Sequence, residues 1–74
     1  MEDNTDPTDA EIQAEPMLQL FRHMHLRDDL RAISKPFGVL ARQVAALPRN
    51  PERTAALRKL REAKDCAVTA SIWK

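Results

Sequence analysis

The sequence predicts an all-α fold: an antiparallel helical hairpin with a short N-terminal helix and a proline-kinked middle helix, assembled as a homo-oligomer. Three observations predict it. The chain has 74 residues with one glycine and no tyrosine, and Ala, Leu, Arg, Lys and Glu are plentiful, which favours helix over sheet. Leu26, Leu30, Ile33, Phe37, Leu40, Val44 and Leu47 follow spacings of 4, 3, 4, 3, 4 and 3, an uninterrupted heptad stripe. Between Leu47 and Glu52 the chain reads as a helix end, a turn and a helix start in succession. So short a chain has little core of its own, and association of copies is the natural source of further stability.

Residues 1–15 hold six acids and no base, whereas the other 59 residues hold all 12 bases and five acids. With few large apolar residues, the leader is expected to be a disordered acidic tail, and residues 16–74 a single helical domain. The tail is read as a solubilising leader, or as a cover for the basic surface when no ligand is bound. Glu15-Pro16 marks the entry to the domain. Met17 to Met24 forms the first short helix in this reading, with Met17, Leu20, Phe21 and Met24 on one side.

The second helix carries the heptad stripe. Pro36 lacks an N–H for the carbonyl of Ala32, and Gly38 weakens the helix further. The stripe keeps its phase across the proline, so one kinked helix is expected, ahead of two helices meeting at Ser34. Leu47-Pro48 ends it. Asn50 is an N-cap, Pro51 fits the first helical position, and Glu52 puts negative charge at the positive end of the dipole. The third helix, Pro51 to about Ile72, is expected to bury Ala55 or Ala56, Leu60, Ala63, Ala67 and Ile72, with Leu57 and Val68 beside them. Its basic residues are expected mostly on the solvent side.

The net charge of +7 outside the leader predicts a field that attracts anions. No apolar run approaches the roughly 20 residues that cross a bilayer, and the single cysteine excludes an internal disulfide framework. A soluble, cytoplasmic protein is expected. His23 and His25 stand two apart and point in different directions on a helix, so they make a poor metal pair, and Cys66 reads as a packed small hydrophobe. No metal, no cofactor and no catalytic constellation is expected. Phe21 and Phe37 read first as core. Trp73 is expected either frayed or packed on another subunit. Arg53 and Thr54 lie in the first turn of the third helix, where backbone N–H groups, the dipole and a guanidinium fork all favour an anion.

The stretch LPRNPERTAALRKLREAKDCAVTA, preceded by LFRHMHL and AISKPF, resembles a family of small phage-borne cyclic-nucleotide sponges. These block the bacterial CBASS and Thoeris immune systems. The likeness covers about residues 17–72 and rests on Phe21, His23 and His25-Leu26, on Lys35, on Leu47-Pro48, on Glu52-Arg53, and on Leu60, Ala63 and Ala67. It implies a helical-hairpin homo-oligomer, commonly a hexamer. Such an assembly binds cyclic di- or trinucleotides or cyclic ADP-ribose-type ligands between protomers and sequesters them uncleaved. It further implies that His23 stacks on a base, that Lys35 faces phosphate, and that Arg53 and Thr54 form a second anion region. With Phe21 and His25 adding rings, six residues make the expected ligand site. The alternative class is a small basic helical protein that binds nucleic acid, or acts as an adaptor, without a pocket. Nucleic acid is the less expected partner.

Overall fold

A computed structural model describes residues 6–73, and its regular structure is all helical, with no strand among the described residues. The elements are α1 (Asp9–Ala14), a 3₁₀ helix (Pro16–Phe21), α2 (Asp28–Ala45) and α3 (Pro51–Ile72). The largest contact in the fold is between α2 and α3, and the 3₁₀ helix packs on all three α-helices. The molecule measures 38 × 30 × 14 Å. Helix axes pack about 8–10 Å apart, so such a slab holds no more than two helix layers.

The leader differs from its expected disorder. Residues 1–5 lie outside the described part, but residues 6–15 are built into the fold. Thr8 and Glu11 form a reciprocal capping box: the Thr8 hydroxyl accepts from the Glu11 N–H at 3.2 Å, and Glu11 Oε1 accepts from the Thr8 N–H at 2.8 Å. Composition suggested a tail because it counts charges. The charges of Asp6, Glu11 and Glu15 have fixed partners, however, and Pro7 and Glu15 are buried.

Met17 to Met24 is not an α-helix. A 3₁₀ helix ends at Phe21, and its three-residue repeat turns Leu18 and Phe21 inward together, leaving Leu20 exposed. Glu15 caps it, accepting from the Met17 N–H at 3.3 Å.

α2 runs unbroken past Pro36, whose ring stands on the exposed side. Its deepest face is Ser34, Gly38 and Ala41, rotated by one residue from the heptad stripe. Phe37 and Val44 are half-buried, while Leu40 and Leu47 are 45% and 56% exposed. The reason is volume. The neighbouring segment already brings in Phe21 and His23, both fully buried, so the helix meets it with small side chains. An alanine-like Cβ at Gly38 would stand 3.0 Å from the Phe21 carbonyl oxygen and 3.1 Å from His23 Nδ1.

α3 starts as its sequence dictates, with the Asn50 side chain accepting from the Arg53 N–H at 2.9 Å and Pro51 at the first position. Its inward face is Arg53, Leu57, Leu60 and Lys64; Ala63 and Ile72 are exposed, and so is Cys66. Two basic side chains therefore point inward. Their aliphatic stems cover apolar neighbours while their charged heads find acceptors.

The buried apolar set is Leu18, Phe21, Ala41 and Leu57, with Ile12, Met17, Phe37, Val44, Ala45 and Leu60 packed around it. That is a small core. Val39, Leu40, Leu47, Ile72 and Trp73 remain exposed, Trp73 at 80%.

Candidate functional site

The chain between the 3₁₀ helix and α2 is fixed from outside. The Asp6 carboxylate accepts from the N–H groups of His23 (2.8 Å) and Met24 (3.1 Å), and the His23 carbonyl accepts from Leu26 N–H at 3.0 Å. His23 Nδ1 lies 3.1 Å from the Phe21 carbonyl, a contact that requires its proton on Nδ1, and 3.4 Å from Asp6. Burial pulls the Asp6 pKa up, but the two N–H groups and the nearby histidines outweigh it and hold the carboxyl below its ordinary value. The sign follows. A depressed carboxyl pKa contributes stability that is present above the unfolded value of 3.8 and is lost as pH falls through the folded value. Wild type is therefore expected to be more stable than Asp6→Asn at pH 7, with the gap closing as pH falls below 3.8 and through the folded value. Urea unfolding across that range checks this. A gap of equal size in acid would mean that the Asp6 charge plays no part.

With His23 turned inward, His25 faces out. It lines a groove of about 470 Å³ with Gln19, Leu20, Arg22 and Leu26 on one side, Ser34 at the α2 wall, and Lys64, Asp65, Val68 and Thr69 from α3. The volume is within the roughly 300–1,000 Å³ range of small-molecule sites. Lys64 stands over the Phe21 ring, 5.5 Å from its centroid, and donates to the Leu20 carbonyl. Among the described residues the Arg22 guanidinium is held only by Asp9, at 3.7 Å in open solvent. Among the described residues the buried Ser34 hydroxyl has no hydrogen-bond partner. A buried hydroxyl in that state costs free energy unless something comes to bond it. The groove thus joins a flat ring, two cations and the Asp65 carboxylate, 3.8 Å from Lys64 Nζ, with the buried Ser34 in its wall; the ring and the cations are groups that recognise a phosphorylated planar ligand.

The six residues expected at the ligand site are dispersed. Phe21 and His23 are fully buried and present no ring to solvent. Arg53 is 5% exposed: its Nη1 donates to Glu15 at 2.9 Å, and its Nε and Nη2 donate to the Ala45 carbonyl at 3.2 and 3.0 Å. Its fork is already occupied by a carboxylate and a carbonyl. Thr54 is exposed, its hydroxyl donating to the Asn50 carbonyl at 3.4 Å, and Lys35 is exposed on α2. Only His25 belongs to the groove. The sequence does not point to Arg22, Ser34 and Lys64 as groove residues, because the 3₁₀ turn that gathers them has no periodic signature.

Among the described residues no cluster of His, Cys, Asp and Glu is arranged to hold a metal, and no helix is long and apolar enough to cross a membrane. The chain matches no protein-family model, no curated protein and no solved structure.

Proposed function

We propose that this protein binds a cyclic oligonucleotide or cyclic ADP-ribose-type second messenger and sequesters it without turnover, blocking bacterial anti-phage signalling in the cytoplasm. The supporting observation is the groove in which the His25 ring and the Arg22 and Lys64 cations meet. A cyclic nucleotide brings flat bases for the ring and fixed negative charge for the cations. Among the described residues no hydrogen bond joins His25 to Ser34, and in this reading the bound molecule is expected back intact.

The working form in this reading is a closed homo-oligomer of antiparallel hairpins. Exposed Val39, Leu40, Leu47, Ile72 and Trp73 supply the apolar surface for it. Lys35 and Thr54, outside the groove of their own protomer, reach the ligand from a neighbour.

The test is calorimetry with a panel of cyclic di- and trinucleotides and cyclic ADP-ribose isomers, on protein whose oligomeric state is fixed by light scattering. One ligand should bind saturably and be recovered unchanged by chromatography after denaturation. Lys64→Gln, confirmed as folded, should weaken that ligand about tenfold or more, the effect of losing a charge-assisted contact. A panel with no binder, or a binder indifferent to Lys64→Gln and His25→Ala, overturns the assignment.

A further inference from the structure

Glu11 and Glu15 of the leader lie on arginines. Glu11 Oε2 accepts from Arg42 Nε at 2.9 Å. Glu15, which holds Arg53, also stands 3.7 Å from Arg49 Nη1, and Arg49 donates to the Ala14 carbonyl. These side chains line one cleft of about 290 Å³ where α1, the end of α2 and the start of α3 come together. It shares no residue with the His25 groove.

The three arginines are not equivalent. Arg53 is 4% exposed in its side chain and belongs to the core, whereas Arg42 and Arg49 are 35% and 69% exposed. Ion pairs at that exposure hold weakly, and a stronger anion displaces them. α1 buries no residue fully, so Glu11 can leave Arg42 without opening the core. Two reachable guanidinium forks beside one cleft match the oxygens of a phosphate better than those of one carboxylate.

We infer that the cleft is a second anion site, for a small phosphate-bearing molecule held by Arg42 and Arg49, and that Glu11 of the leader is its built-in competitor. The acidic leader is then a regulatory element carried on the same chain. Glu11 is ionised at neutral pH, because the Thr8 N–H and then Arg42 hold its carboxyl below the ordinary range. The competitor is therefore charged at neutral pH, and ligand concentration or loss of the leader relieves it. The inference stands apart from the proposed messenger site, since neither the residues nor the probe are shared.

The experiment is calorimetric titration of the full chain with inorganic pyrophosphate at fixed, low ionic strength. Glu11→Gln removes the charge and keeps the capping box, which accepts glutamine at that position. It should bind pyrophosphate at least about fivefold more tightly than wild type, the lower end of ordinary coupling between sites. Adding Arg42→Gln should abolish the gain. Glu62→Gln removes an equal charge from the exposed side of α3 and should change nothing. Equal affinity of Glu11→Gln and wild type overturns the inference. So does a gain that survives Arg42→Gln, or one that Glu62→Gln reproduces, since net charge alone would then explain it.

Discussion

Replacing Glu15 by alanine is expected to cost about 3–5 kcal/mol, the loss seen when one partner of a buried ion pair is removed. Glu15 and Arg53 are 11% and 4% exposed in their side chains, and the Arg53 Nη1 to Glu15 Oε2 contact is 2.9 Å. Without the carboxylate the guanidinium keeps only the Ala45 carbonyl. The Met17 N–H loses its cap as well, so the entry to the 3₁₀ helix loosens with the charge. In a domain this small 1 kcal/mol moves the melting temperature by about 4–8 °C, so a fall of at least about 12 °C is expected. Urea unfolding gives the free energy directly. Glu15→Ala combined with Arg53→Met should recover part of the loss, because an apolar side chain leaves no charge to solvate. A cost below about 1 kcal/mol would mean that water reaches the pair, and the leader would then be joined to the domain only at its surface.

This pair also shows what was legible in the sequence. The all-helical class, the start of α3 at Asn50-Pro51 and the continuity of α2 through Pro36 follow from local chemistry: a cap, a fixed φ, a stripe that keeps its phase. Arg53 was legible as an anion-seeking side chain. Its anion is Glu15 of the same chain, 38 residues away, and nothing local announces a contact of that range. The charge asymmetry of the leader suggested both disorder and a cover over basic surface. The described residues 6–15 are ordered by partners on other elements: Asp6 on the His23 and Met24 amides, Glu11 on Arg42, Glu15 on Arg53. The heptad stripe was real but faced the wrong way by one residue. Periodicity reports which side chains share a face, and which face meets the rest of the chain is decided by the volume already there. His25 was legible as a ring for the ligand site, whereas Ser34 and Lys64 enter the groove only through the 3₁₀ turn.

Gly38→Val is expected to destabilise the protein by about 2–3 kcal/mol, the upper part of the usual range for overpacking. Gly38 has an ordinary helical backbone with no positive φ, so by propensity alone a side chain should help: alanine in a helix interior is worth about 1 kcal/mol over glycine. Space decides against it. The added Cβ would sit 3.0 Å from the Phe21 carbonyl oxygen and 3.1 Å from His23 Nδ1. The carbonyl is backbone at the end of the 3₁₀ helix, and the ring is fully buried and bonded to that carbonyl. Neither can give way alone, so the first response is separation of the 22–26 loop from α2. Gly38→Ala tests the sign: it should lose stability despite its better propensity, and valine should lose more because its two methyls add volume and fix χ1. Hydrogen exchange gives a second readout, since the His23 and Met24 amides bonded to Asp6 should exchange faster in both variants, ahead of the amides inside α3. If alanine at position 38 instead stabilises the protein and leaves those amides protected, the loop does not press on α2, and the small-residue face of that helix serves no close approach.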